Sequence, residues 1–156
     1  MEFHHVSVLR QETIDNIVTN PSGIYVDCTL GGGGHTYALA QRLNKDALII
    51  GLDQDKDAIA AATERLSDIS CRHILVQRNF RYIHEVLDEL GIEAVDGIMF
   101  DLGVSSYQLD TPERGFSYIQ DGPLDMRMDN SRTKSAYEVV NTYGQEELYH
   151  VIKEYG

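Results

Sequence analysis

Apolar and polar positions fall into blocks with two different periods along this chain. Leu9, Ile14, Ile17 and Val18 recur at loose helical spacing and stop before the turn cluster Asn20-Pro21-Ser22-Gly23, which predicts a helix over 9–18. Ile24 to Cys28 reads as a short buried strand, broken by Gly31 to Gly34, and Thr36 to Leu43 as the helix that follows. Ala47 to Leu52 is a continuous apolar run ending at Asp53, the clearest strand in the chain. An alanine-rich helix is expected over 58–66, a strand over 74–76, a helix over 83–90, and a fourth strand over 97–100 ending at Asp101. After Asp101 the pattern fails. Residues 102–134 are rich in Gly, Ser, Asp and Met and hold no clear strand or long helix, and loops of that length in compact domains are usually functional or mobile. Ser135 can cap a short helix over 136–142, and a further helix is expected over 145–155.

Short apolar strands alternating with helices predict an α/β fold with a parallel sheet covered on both faces. Right-handed crossovers then make it a doubly wound, Rossmann-like layer, and such layers bind ligands at the carboxyl ends of their strands. Here those ends are Asp27, Asp53, Gln77-Arg78-Asn79 and Asp101, so polar residues collect where a site is expected.

Composition narrows the class. At 156 residues with 42% hydrophobic side chains, the chain has one domain's worth of core and is neither disordered nor disulfide-dense. The formal charge is −12, and it is uneven: residues 1–84 carry 8 basic and 10 acidic side chains, residues 85–156 carry 5 and 15. Such a field repels polyanions at long range. Cys28 and Cys71 are isolated in or beside apolar segments and read as small buried hydrophobes. The start has neither a basic region nor an apolar stretch suited to a signal, and no run reaches the roughly 18 apolar residues of a membrane helix, so a cytoplasmic protein is expected.

Candidate chemistry gathers at the strand ends. A dinucleotide fingerprint wants glycines at the first, third and sixth positions, but counted from Gly31 the sixth is Thr36, so the fingerprint is incomplete. Glycines at Gly31, Gly33 and Gly34 would let backbone approach a ligand closely. Asp27, just before them, would repel a pyrophosphate but suits a ligand with an ammonium or sulfonium group, and S-adenosylmethionine has both. Asp53, 20 residues after Gly33, can accept hydrogen bonds from both hydroxyls of an adenosine ribose. Asp55 and Asp57 either face solvent or cap the following helix. His35 at the helix start is open to a phosphate, carboxylate or substrate contact. His4, His5, His73, His84 and His150 share no helical face with acids or cysteines, and no metal site is expected. The polar loop from Asp101 offers Asp101, Ser105 and Ser106 as groups that can accept a hydrogen bond from a target amine, aligning its lone pair for methyl transfer.

Taken together, several blocks make the chain resemble the bacterial small-subunit ribosomal RNA cytosine-N4 methyltransferases, the MraW/RsmH family. They are His5 to Leu9, Asp27 to Thr36, Gly51 to Asp55, Asn79-Phe80, Asp96 to Asp110, Arg114 to Ser117 and Asp121 to Asp129. One departure is Ser7, where the family usually has proline. The resemblance implies S-adenosylmethionine contacts at Gly33, Gly34 and His35. It places Asp53 on the ribose, Phe80 against the adenine, Asp101 near the methionine or adenine end, and adds Gln108, which residue chemistry alone would not select. It further implies a ribosomal RNA partner and a class I S-adenosylmethionine-dependent fold.

Family members are about twice as long, so a half-domain over 1–110 binding the cofactor and an incomplete helical insertion over 111–156 are expected. The sheet would be truncated after its fourth strand, in a shortened gene product or a deliberately shortened chain. The open edge of that strand invites pairing, and a homodimer, or covering by residues 102–156, is expected. Two other functions compete: a module that binds S-adenosylmethionine without catalysis, and a nicotinamide-dependent oxidoreductase, which the incomplete fingerprint and Asp27 oppose.

Overall fold

The computed structural model describes residues 9–156, so His4 and His5 and the block from His5 to Val8 lie outside the described residues. The chain divides into two compact units, residues 1–103 and 104–156.

The first unit holds a sheet of four parallel strands in the order β3-β2-β1-β4, formed by β1 (Ile24–Asp27), β2 (Leu48–Asp53), β3 (Arg72–Gln77) and β4 (Gly97–Met99). Helix α1 (Arg10–Ile17) precedes β1, and α2 (Gly34–Ala40), α3 (Lys56–Arg65) and α4 (Ile83–Glu89) separate the strands in sequence, with a 3₁₀ turn over Phe80–Tyr82 leading into α4. The first helix, all four strands and the three crossover helices thus fall where the hydrophobic pattern puts them, with ends shifted by a few residues.

β1 and β2 form the middle of the layer, which is why their apolar runs are continuous. Tyr25, Val26, Ile49, Ile50 and Leu52 are all fully buried. One face packs Tyr25 and Ile49 on Ile14, Leu39 and Leu43 of the α1–α2 side. The other packs Val26, Ile50 and Leu52 on Val86, with Ile83 and Leu87 of α4 beside them. Cys28 and Cys71 are free thiols inside these clusters, as expected, and burial drives the Cys28 thiol up to about 12, so it carries no thiolate.

Burial on both faces does not extend to β4. The strand stops at Met99, one residue short of expectation, and while Met99 is buried, Ile98 is 43% and Phe100 52% exposed. Reading Gly97 to Phe100 as a fully covered strand is therefore corrected. An apolar run shows that a strand can be buried, but β4 is an edge strand and only its α1 side is packed.

The second unit comprises α5 (Ser106–Asp110), a 3₁₀ turn at Pro112–Arg114, α6 (Ala136–Thr142) and α7 (Gln145–Tyr155). The segment between the 3₁₀ turn and α6 has no regular structure, yet it is tied down. Arg114, 5% exposed, donates from its guanidinium to the carbonyls of Arg127 and Met128 at 3.0 and 3.1 Å. The Met126 N–H returns to the Arg114 carbonyl, and the Ala136 and Tyr137 N–H groups reach the carbonyls of Asp125 and Leu124. Gly115 sits at φ +72, and a Cβ there would lie 2.2 Å from the Pro123 carbonyl oxygen, so only glycine fits.

Candidate functional site at the carboxyl edge of the sheet

The glycine loop is built on the end of β1. Asp27 closes that strand and lies level with Gly51 of β2 and Met99 of β4. Asp53 and Asp101 each lie two residues beyond those levels, on either side of β1. Three carboxylates therefore stand at the carboxyl edge of three neighbouring strands, as the sequence pattern requires.

Each is held differently. Asp27 is 2% exposed; its Oδ2 accepts the Thr36 hydroxyl at 2.6 Å and its Oδ1 the Thr29 N–H at 3.1 Å. Burial outweighs these two bonds, and its pKa is pushed up to about 6, with the charges of Asp53 and Asp101 adding to the rise. Asp53 accepts the Gly31 N–H at 2.8 Å on Oδ2 and the Asp55 N–H at 2.9 Å on Oδ1. Burial raises its pKa too, opposed by these backbone bonds. Asp101 is the most open, with 53% of its side chain exposed, and its Oδ2 stands 3.5 Å from His35 Nε2.

The glycines divide their work. Gly31 has φ +49, and its N–H is taken by Asp53, which pins the loop to the end of β2. Gly33 has φ +76 and sits one residue before α2, where a Cβ would approach the Ala62 Cβ at 3.3 Å. Its absent side chain lets the turn before α2 come close to α3, and Gly34 then opens α2.

Asp55, fully buried, caps α3 by accepting the Asp57 N–H at 3.0 Å, the second of the two roles left open for it. After β3, the Asn79 amide donates to Gln54 Oε1 at 2.9 Å and Asn79 accepts the Arg81 N–H, which turns the chain into Phe80. Phe80 is 37% exposed and meets Phe100 edge to face at 5.6 Å between ring centroids. The family resemblance singles out Phe80, while the apolar pattern reads Phe100 as part of the fourth strand. The pairing joins the carboxyl edges of β3 and β4, which the strand order places at opposite sides of the sheet.

One histidine expectation is corrected: His84 and Asp88 share a helical face, with Nδ1 and Oδ2 3.2 Å apart one turn along α4. Among the described residues no three His, Cys, Asp or Glu side chains gather as a metal site would require. Ser105, Ser106 and Gln108 belong to the second unit. There Ser105 and Gln108 form the capping box of α5: the Ser105 Oγ accepts the Gln108 N–H at 3.2 Å, and Gln108 Oε1 accepts the Ser105 N–H at 3.0 Å. Ser106 begins the helix they cap. Sequence reasoning missed Thr29 and Thr36, whose hydroxyls hold the acids; the available signal was two hydroxyl residues flanking a glycine run that follows an acid.

Parallel order, crossover helices and acids at the carboxyl edge define the Rossmann-like layer of class I methyltransferases. A Clostridium thermocellum protein provisionally assigned as an rRNA methylase has this fold, with a TM-score of 0.55 and 20% identity over 97% of this chain and 85% of that one. The chain belongs to the MraW methylase family, which matches residues 2–156. It is 56% identical over its whole length to ribosomal RNA small subunit methyltransferase H 2 of Agathobacter rectalis and 54% identical to ribosomal RNA small subunit methyltransferase H of Clostridioides difficile. It spans 50% of the length of each. Among the described residues, no helix is long and apolar enough to cross a membrane.

Proposed function

We propose that this chain carries the S-adenosylmethionine-binding part of a methyltransferase acting on the N4 amine of a cytidine in small-subunit ribosomal RNA. The observation that carries this reading is the set of three carboxylates at neighbouring strand ends around a glycine loop. A ligand with a sulfonium, an ammonium and a ribose diol matches that charge, whereas the pyrophosphate of a nicotinamide cofactor opposes it. In this reading Asp53 accepts from the ribose hydroxyls and Phe80 faces the adenine. Asp101, with His35 beside it, meets the methionine end, and Gly31, Gly33 and Gly34 let the backbone come close. Asp27, only 2% exposed, acts from beneath the loop as a buried negative charge. The bound cofactor would supply an activated methyl group, so the chain's own groups need only orient the amine, with Asp101 as the acceptor at the sheet edge.

Residues 1–110 form the cofactor-binding part in this reading, and 111–156 begin the substrate-recognition segment. One feature favours a second reading, cofactor binding without turnover: residues 85–156 carry 15 acids against 5 basic groups, a poor surface for phosphates.

Calorimetric titration tests the reading. Binding of S-adenosylmethionine with none of NAD supports it, and the reverse overturns it. Radiolabelled methyl transfer to unmethylated small subunits then separates the two readings. Incorporation no higher than that of Asp101→Ala leaves cofactor binding alone.

A further inference from the structure

The ladder between β1 and β4 ends in an unusual way. The Cys28 N–H donates to the Met99 carbonyl at 3.0 Å, as the parallel register requires. The next bond of a regular ladder would carry the Asp101 N–H to the Cys28 carbonyl. Instead that N–H goes to the Thr29 Oγ1, at 2.6 Å. A side chain stands in for a backbone acceptor, and the two strands can part there while their ends stay tied. The same residue's N–H donates to Asp27 Oδ1 at 3.1 Å. Thr29 thus touches two of the three acids, 72 residues of chain apart at its hydroxyl contact.

We infer that Thr29 is a positioning residue, which through its hydroxyl sets the place of Asp101 relative to Asp27 and so the spacing of the charges that meet a sulfonium-bearing nucleoside. The inference rests on the cofactor reading above and extends it to a residue which that reading does not assign to the ligand. A threonine suits the task. Its branched Cβ restricts χ1, so the oxygen is held in one place, while valine keeps that shape and removes the acceptor. Serine keeps the acceptor and loses only the methyl group.

The test compares Thr29→Val and Thr29→Ser by amide hydrogen exchange at Asp101 and by calorimetric titration with S-adenosylmethionine. In Thr29→Val the Asp101 amide should exchange faster and the affinity should fall, each by about five- to tenfold, the value of one lost hydrogen bond. The Val26 and Ile50 amides inside the sheet should keep their protection, and Thr29→Ser should return both readouts to those of the unmodified chain. Unchanged Asp101 exchange and unchanged affinity in Thr29→Val overturn the inference, as does a Thr29→Ser variant that behaves like valine. If Thr29→Val loses protection throughout the sheet, Thr29→Ala replaces it in the same comparison. Absence of binding by the unmodified chain instead overturns the cofactor reading, and the exchange data alone then decide whether the hydroxyl holds Asp101.

Discussion

At the scale of single residues, Asp27 keeps a carboxylate where almost no water reaches, and its two hydrogen bonds do not offset the desolvation. Its folded-state pKa of about 6 lies above its ordinary value of 3.8. The native chain therefore binds more protons than the unfolded chain between those values, and stability falls as pH rises through that window. Above it the penalty is fully present, on the order of 3 kcal/mol for a shift of this size. Asp27→Asn removes the charge, and its amide can take the Thr29 N–H on oxygen while donating to the Thr36 hydroxyl. Urea denaturation should show the variant more stable than the parent at pH 7.5, with the advantage fading towards pH 4, while S-adenosylmethionine affinity drops. A site that costs stability in this way is usually held for function. Asp53→Ala has the opposite balance. The Gly31 and Asp55 N–H groups lose their acceptor, so unfolding should become easier by roughly 1–3 kcal/mol, and calorimetry should detect no cofactor binding.

Elements with local signals were easiest to anticipate. The ranges 136–142 and 145–155 match α6 and α7, because Ser135 and Glu138 bond reciprocally at the start of α6 and Glu147 accepts the Gly144 N–H at the start of α7. Ser135→Ala should destabilise α6 by about 1 kcal/mol, seen as faster exchange of the Glu138 amide. The start of α2 depends on a longer-range fact. Gly33→Ala would place a side chain at φ +76 against Ala62 of α3, and thermal unfolding should register a loss of roughly 1–2 kcal/mol. The glycine run alone points to ligand approach for Gly33. The contact with a helix about 30 residues further along became visible only when α3 was packed. β4 shows the same limit, because the exposure of Ile98 and Phe100 follows from the strand's place at the sheet edge.

For the molecule as a whole, the burial is uneven between the two units. Every buried apolar side chain among the described residues lies at or before Met99, while residues 104–156 bury Gln108 and Arg114. Their structure is kept by caps, turns and the Arg114 bonds, which water competes for more readily than for a packed core. Native-state hydrogen exchange should find amides of α6 and α7 opening at much lower free energy than those of β1 and β2. Comparable protection in the two units would contradict this.

The succession of strands and helices along the chain, the parallel layer, the family resemblance and the placing of Asp27, Asp53 and Asp101 at strand ends were all determined by sequence alone. Each depends on periodicity, caps and motif spacing, which are local properties of the chain. The strand order, the edge position of β4, the Phe80–Phe100 contact and the Thr29–Asp101 bond were decided by tertiary structure. So was the raised pKa of Asp27, because desolvation and hydrogen bonding across dozens of residues exist only once the strands lie side by side.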